Sequence, residues 1–227
     1  MAKRCLLYYI TDRTALGADE PTRRRRLLEK ISEAARAGVE YIQLREKDLS
    51  TRDLESLARK AASAMEKLNT QNPRLRTSLL INSRTDVALA TGTRGVHLRA
   101  SDISPQDVRA IWEKNGGGAS RDEPSAQCPL IGVSCHSPEE VSRAADNKAT
   151  LAVFGPIFEK KGAPATLAQG LLSLKTVCKA EILIFALGGI TLANARSCLE
   201  AGASGIAAIR LFQDNDIAEV VRRLRLE

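Results

Sequence analysis

Tyr41-Ile42-Gln43-Leu44-Arg45-Glu46-Lys47 starts as an apolar strand and ends with four polar or charged side chains among its last five residues. A buried strand cannot carry such a run through its middle without partners, so the charged end sits at a mouth. In a parallel β/α architecture the carboxyl ends of strands hold the ligand, and this strand delivers two cations and one carboxylate there. An edge strand running into a solvated turn is the plainer account of the heptapeptide alone. The other strands shift the balance, because they end in the same way.

Outward from this stretch, short runs rich in β-branched and apolar residues alternate with segments of the longer helical period. The strand runs are Cys5–Ile10, the quoted stretch, Thr77–Asn82, Gly95–Leu98, Pro129–Ser134, Thr150–Phe154, Ile182–Leu187 and Ser204–Ile209. Helix starts are marked by Pro21-Thr22, Ser50-Thr51-Arg52-Asp53, Ser104-Pro105-Gln106-Asp107 and Ser137-Pro138-Glu139-Glu140, where a capping side chain or a first-turn proline precedes the run. Thr191 is expected to open the helix that Gly202 stops, and Asp216 the last one. Eight strands alternating with about eight helices point to an α/β fold, a single closed (β/α)8 TIM barrel spanning residues 1–227. An open doubly wound sheet usually has fewer strands and a glycine-rich fingerprint after the first, which Thr11-Asp12-Arg13 is not. Asn115–Gln127 reads as a surface insertion, and the long Gly155–Gln169 loop, bearing glycine, proline and lysine, as a lid.

A chain of 227 residues with 44% hydrophobic and 27% charged residues can bury a full core without staples. No apolar run approaches the roughly 18 residues of a membrane span, so no membrane partner is expected. The start runs straight into a strand without a small-residue cleavage site, so no signal peptide is expected. Five widely spaced cysteines without a C-x-x-C pair suggest neither a disulfide framework nor zinc, and place the chain in reducing cytoplasm. The net charge of +7 could serve nucleic acid, but the basic residues are scattered, and aromatics to stack bases make up only 4%. A phosphorylated small substrate suits the same charge. The run Arg23–Arg26 reads as a solvated helix face, and a homo-oligomer is compatible with the composition.

The residues just after each strand are Thr11 and Asp12; Gln43, Arg45 and Lys47; Asn82; Asp102; Ser134 and His136; the lid with Lys160 and Lys161; Gly188 and Gly189; and Arg210. In a barrel these ends converge on one face. Gly188-Gly189-Ile190-Thr191 lets backbone approach a ligand, and N–H groups there and after the eighth strand can hold a phosphate; a plain tight turn is the alternative. His136 can exchange a proton near neutral pH, or simply face water at a helix start. Arg45 and Lys47 suit an anion as fork and point charge, or pair with Glu46. Asp102 can hold Mg²⁺ or cap a helix. His97, inside a strand, reads as a hydrogen-bonded structural residue, and Cys135 gains no support as a nucleophile.

Tyr9-Ile-Thr-Asp12, Gln43-Leu-Arg-Glu-Lys47, Asn82 with Asp86-Val-Ala-Leu-Ala90, Gly95-Val-His-Leu98, Gly132-Val-Ser-Cys-His136, Phe154-Gly-Pro-Ile-Phe158, Gly188-Gly-Ile190 and Ala201-Gly-Ala-Ser-Gly-Ile206 resemble, in order, the motifs of the thiamine phosphate synthase and TenI family. For the synthase role, which joins a pyrimidine diphosphate to a thiazole phosphate with Mg²⁺, the resemblance implies Gln43, Arg45, Lys47 and Asn82 around the pyrimidine diphosphate. It implies Asp102 on Mg²⁺, Ser134 and Lys160 near the substrate, and Gly188, Gly189, Ile209 and Arg210 around the thiazole phosphate.

Three departures separate this chain from the family's synthase pattern. Asn82-Ser83 replaces Asn-Asp, Arg99-Ala100 replaces Gly-Gln, and Glu159-Lys-Lys-Gly-Ala163 replaces Thr-x-Thr-Lys. Losing a carboxylate and adding a cation weakens the neutralisation of a leaving diphosphate. The resemblance therefore leans toward the TenI-type tautomerase, which moves a proton on a carboxylated thiazole phosphate with no cofactor, His136 as acid/base and Ser134 beside it. The synthase, with Mg²⁺, is the alternative; a third is a barrel that binds thiamine precursors and regulates a partner.

Overall fold

The computed structural model describes residues 4–72, 76–115, 128–159 and 167–226. Eight strands, β1 (Leu6–Ile10), β2 (Tyr41–Leu44), β3 (Ser78–Asn82), β4 (Gly95–Leu98), β5 (Leu130–Cys135), β6 (Leu151–Phe154), β7 (Leu183–Leu187) and β8 (Gly205–Ala208), pair in parallel in chain order. β8 returns to β1 with Leu7 opposite Ile206, which closes the barrel. Outside it lie α1 (Glu20–Ala37), α2 (Thr51–Gln71), α3 (Thr85–Thr91), α4 (Pro105–Lys114), α5 (Pro138–Asp146), α6 (Gly170–Val177), α7 (Ala195–Glu200), α8 (Arg210–Gln213) and α9 (Ile217–Leu226). The (β/α)8 TIM barrel expected from the alternation is the fold.

Local chemistry explains the boundaries. Asp19, Ser50, Ser104 and Ser137 each accept a hydrogen bond from a first-turn N–H at the start of α1, α2, α4 and α5. Gly38 at φ +85° ends α1 in the left-handed conformation that favours glycine. Period-two alternation then sorts the strands. Leu7, Tyr9, Ile42, Leu79, Val96, Ile131, Ala152 and Ile184 face outward into the helix layer. Tyr8, Ile10, Leu151, Val153, Phe185 and Ala207 fill the inside.

The inner wall is asymmetric. β1 and β6 to β8 line it with apolar side chains, whereas Gln43, Asn82, His97 and Ser134 make a polar arc along β2 to β5. Four boundaries differ from the sequence expectations. A 3₁₀ turn, Arg13–Leu16, stands between β1 and α1, and α2 runs past Leu68 to Gln71. α7 opens at Ala195 rather than Thr191, because Asn194 folds back on the segment before it. Arg210 opens a short helix of its own. The insertion after Asn115 and the centre of the 155–169 loop lie outside the described residues.

Candidate active site

At the exits of β1 and β2 the charged heptapeptide splits by role. Glu46 turns inward and is almost fully buried: Thr11 Oγ1 donates to its Oε1, while Arg13 donates from N and Nη1 to its Oε2 at 3.1 and 3.2 Å. Arg13, only 2% exposed, also grips Asp48 in a fork of 2.6 and 2.9 Å and meets Glu20 at 3.0 Å. Hydrogen bonding to Asp48, then to Glu20 and Glu46, raises the guanidinium pKa despite burial. Thr11 Oγ1 in turn accepts from Arg45 N at 3.0 Å. The pairing of Arg45 or Lys47 with Glu46 is thus not what forms. Both cations are left without a side-chain ion pair among the described residues, at a mouth held rigid beneath them.

The polar arc continues round the barrel. Gln43 Nε2 donates to Asn82 Oδ1 at 2.8 Å. His97 lies buried between Tyr8 Oη, 2.7 Å from Nδ1, and Ser134 Oγ, 2.8 Å from Nε2. Burial pushes its pKa down to about 3, with the Arg45 charge adding to the effect, so the ring is neutral and one nitrogen donates while the other accepts. Above it, His136 is exposed at the exit of β5, and its Nδ1 lies 2.6 Å from Gly155 O. A carbonyl only accepts, so Nδ1 carries a proton, and Nε2 makes no hydrogen bond to another described residue. Cys135 is buried, which pushes its thiol up to about 12 and keeps it unreactive.

Gly188 and Gly189, at φ +98° and +65°, form the turn after β7. A Cβ on Gly189 would stand 2.7 Å from Phe158 Cβ and from Phe158 O, so the turn admits no side chain there. Asn194 closes it, accepting from Thr191 N at 2.8 Å and donating to Gly189 O at 3.0 Å. Across from it Ile209 precedes α8, whose opening residues Arg210 and Leu211 stand in a first turn without intrahelical acceptors for their N–H groups. The Arg210 side chain is exposed. These groups can hold a phosphate between strands β7 and β8.

Asp102 was the expected metal ligand. Its Oδ2 accepts from Ser83 Oγ at 2.7 Å and from Arg99 N at 2.8 Å, and its Oδ1 from Arg99 Nε at 3.0 Å. The nearby carboxylate Asp86 is taken by Arg84 in a two-pronged pair. Among the described residues no group of three His, Cys, Asp or Glu could hold a metal ion. A hard divalent cation needs oxygen donors with free lone pairs, so the residues present do not fit Mg²⁺ as they stand.

Closure of the barrel brings Gln43, Arg45, Lys47, Asn82, Asp102, Ser134, His136, Gly188, Gly189 and Arg210 to one rim. Lys160 falls outside the described residues. Tyr8 and Arg13 belong to the site's framework and were not singled out from sequence. Among the described residues no helix is long and apolar enough to cross a membrane. The Arg23–Arg26 run does lie on the helix surface, where Arg24 pairs with Glu20 and Asp53, and Arg25 with Glu29.

The profile of the thiamine monophosphate synthase family matches residues 7–212. A putative thiamine-phosphate synthase of Geobacter sulfurreducens is 37% identical over 224 residues, covering 96% of this chain and 92% of its own length. A thiamine-phosphate synthase of Roseiflexus sp. is 34% identical over 206 residues, covering 90% of this chain and 76% of its own. Among solved structures, a thiamine phosphate pyrophosphorylase from Pyrococcus furiosus superposes with a TM-score of 0.74 at 26% identity, covering 99% of this chain and 96% of that one. With one closed barrel and a match along nearly its whole length, this chain belongs to the thiamine monophosphate synthase family.

Proposed function

We propose that the chain is a transferase that joins hydroxymethylpyrimidine diphosphate to hydroxyethylthiazole phosphate, releasing pyrophosphate. What supports this reading is the placement of two separate sets of cationic side chains and N–H groups on one rim, each suited to an anion. Arg45 and Lys47 stand free after β2, and the Gly188-Gly189 turn with Arg210 stands after β7 and β8. Two phosphorylated substrates need two anchors, whereas a tautomerase acting on one thiazole phosphate needs a single anchor. The names carried by the relatives agree with it.

In this reading the C–O bond between the pyrimidine methylene and the diphosphate breaks, its electron pair leaving with pyrophosphate. The thiazole nitrogen supplies the pair for the new C–N bond, and no proton moves. Arg45 and Lys47 neutralise the leaving group, and the hydrogen-bonded Gln43–Asn82 pair meets the polar edge of the pyrimidine. His97 holds Ser134 in place, and in this reading Ser134 accepts from His97 Nε2–H and so keeps its own proton to donate to the diphosphate.

A second reading, tautomerisation of carboxythiazole phosphate, is favoured by the free Nε2 of His136 and by the occupied Asp102. The experiment is a pyrophosphate-release assay with both synthase substrates, run beside an absorbance assay of the carboxythiazole tautomer. Pyrophosphate formed together with thiamine phosphate supports the transferase. Tautomer conversion that disappears in His136→Ala, with no pyrophosphate released, replaces it with the second reading.

A further inference from the structure

We propose that the Arg99 guanidinium, in place of a divalent cation, is the positive charge at Asp102, and that it neutralises a diphosphate group directly. The inference rests on the transferase reading only for the identity of that diphosphate.

Both oxygens of Asp102 are already committed. Ser83 Oγ and Arg99 N share Oδ2, and Arg99 Nε and Nη2 each lie 3.0 Å from Oδ1. Ser83 is fixed where it can do this: its backbone sits at φ +54°, and its N–H donates to His97 O at 2.8 Å. A hydroxyl therefore stands beside Asp102 where a second carboxylate could stand, and among the described residues Arg99 is the cation that pairs with Asp102. A divalent ion would have to displace the guanidinium and then find its remaining donors elsewhere.

Arg99 is suited to the substitution. Its side chain is 66% exposed while Asp102 is only 13% exposed, so the carboxylate forms the floor and the guanidinium the outer surface. Guanidinium carries five donors in a planar fork; those not directed at Asp102 are open to a ligand. Beside them, between α4 and α5 and outside the barrel, Arg99, Asp102, Glu140 and Arg143 border a separate cleft of about 250 Å³ with the outward-facing Leu98 and Val133. This departs from metal-assisted diphosphate binding: one fixed cation does without an ion that must be recruited from solution.

The test uses the full chain, in two measurements that need no turnover. Mn²⁺ titration followed by electron paramagnetic resonance is expected to show no ion retained by the wild-type chain at millimolar Mn²⁺. Calorimetric titration of inorganic pyrophosphate in EDTA is expected to show binding, weakened about tenfold or more in Arg99→Gln and partly restored in Arg99→Lys. Micromolar Mn²⁺ binding that vanishes in Asp102→Asn would overturn the proposal. So would pyrophosphate affinity unchanged in a folded Arg99→Gln, or no pyrophosphate binding without metal. Metal-free binding of pyrophosphate by a chain that releases none from the two substrates upholds this inference while sinking the transferase reading.

Discussion

Arg13 and His97 show how much a single residue can carry in this barrel. Arg13 is buried against Glu20, Glu46 and Asp48, and among the described residues Glu46 pairs with no other cation. Removing one partner of a buried pair leaves the other charged and desolvated, at a cost of about 3–5 kcal/mol. Arg13→Met is therefore expected to lose about that much in urea unfolding and to raise KM for the diphosphate substrate, because Thr11 and Glu46 position the backbone of Arg45. A loss below about 1 kcal/mol would mean that the network behaves as a surface pair. His97 gives a pH signature. Its folded pKa is depressed to about 3, so as pH falls below its ordinary 6.5 the unfolded chain gains a proton that the folded chain refuses. Stability is then expected to drop between pH 6.5 and 3 by up to about 1.4 kcal/mol per unit from this residue, and His97→Gln to flatten that slope in chemical denaturation. The sequence marked His97 as a hydrogen-bonded residue because a histidine within a short strand needs partners. Arg13 does not stand out in the sequence, since its carboxylates come from two stretches, Glu20 and the Glu46–Asp48 segment, and a buried arginine is written with the same letter as a surface one.

At the scale of elements, caps were legible and side-chain-closed turns were not. Ser50, Ser104 and Ser137 announce their helices within four residues of chain. Thr191 looked like another such start, but Asn194 bonds back to Thr191 N and Gly189 O, and that local competition delays α7 to Ala195. The delay leaves the Gly188–Ile190 backbone as a cradle rather than as a helix. Gly189→Ala tests it. The new Cβ would meet Phe158 O at 2.7 Å and sit at φ +65°, so a destabilisation of about 1–3 kcal/mol is expected. Calorimetry should show affinity for hydroxyethylthiazole phosphate falling about tenfold or more, with pyrophosphate affinity unchanged. Equal loss of both ligands would indicate general disruption of the rim. Ser83→Ala belongs to the same scale: it removes a donor from Asp102 at the exit of β3, and a shift of about 1 kcal/mol in thermal unfolding is expected.

For the whole molecule, the strand count and the polar strand ends were enough to place the site on one rim, because closure of eight parallel strands leaves the side chains little choice. The asymmetric interior was harder to foresee. Which strands carry the polar arc and which the apolar lining depends on register, for instance Asn82 opposite His97, and register is set by contacts between distant segments. The state of Asp102 is half legible: the departures at Ser83 and Arg99 mark a lost carboxylate and an added cation three residues from Asp102, whereas the Ser83 hydroxyl reaches Asp102 only once β3 and β4 lie side by side. The central claim is that two phosphate anchors share one mouth and serve two substrates. A crystal of the full chain soaked with hydroxyethylthiazole phosphate and inorganic pyrophosphate tests it most directly. The expected density places the thiazole phosphate on the Gly189 and Arg210 backbone and pyrophosphate against Arg45 and Lys47. Both anions at a single anchor, or either at the amino-terminal ends of the strands, would contradict it.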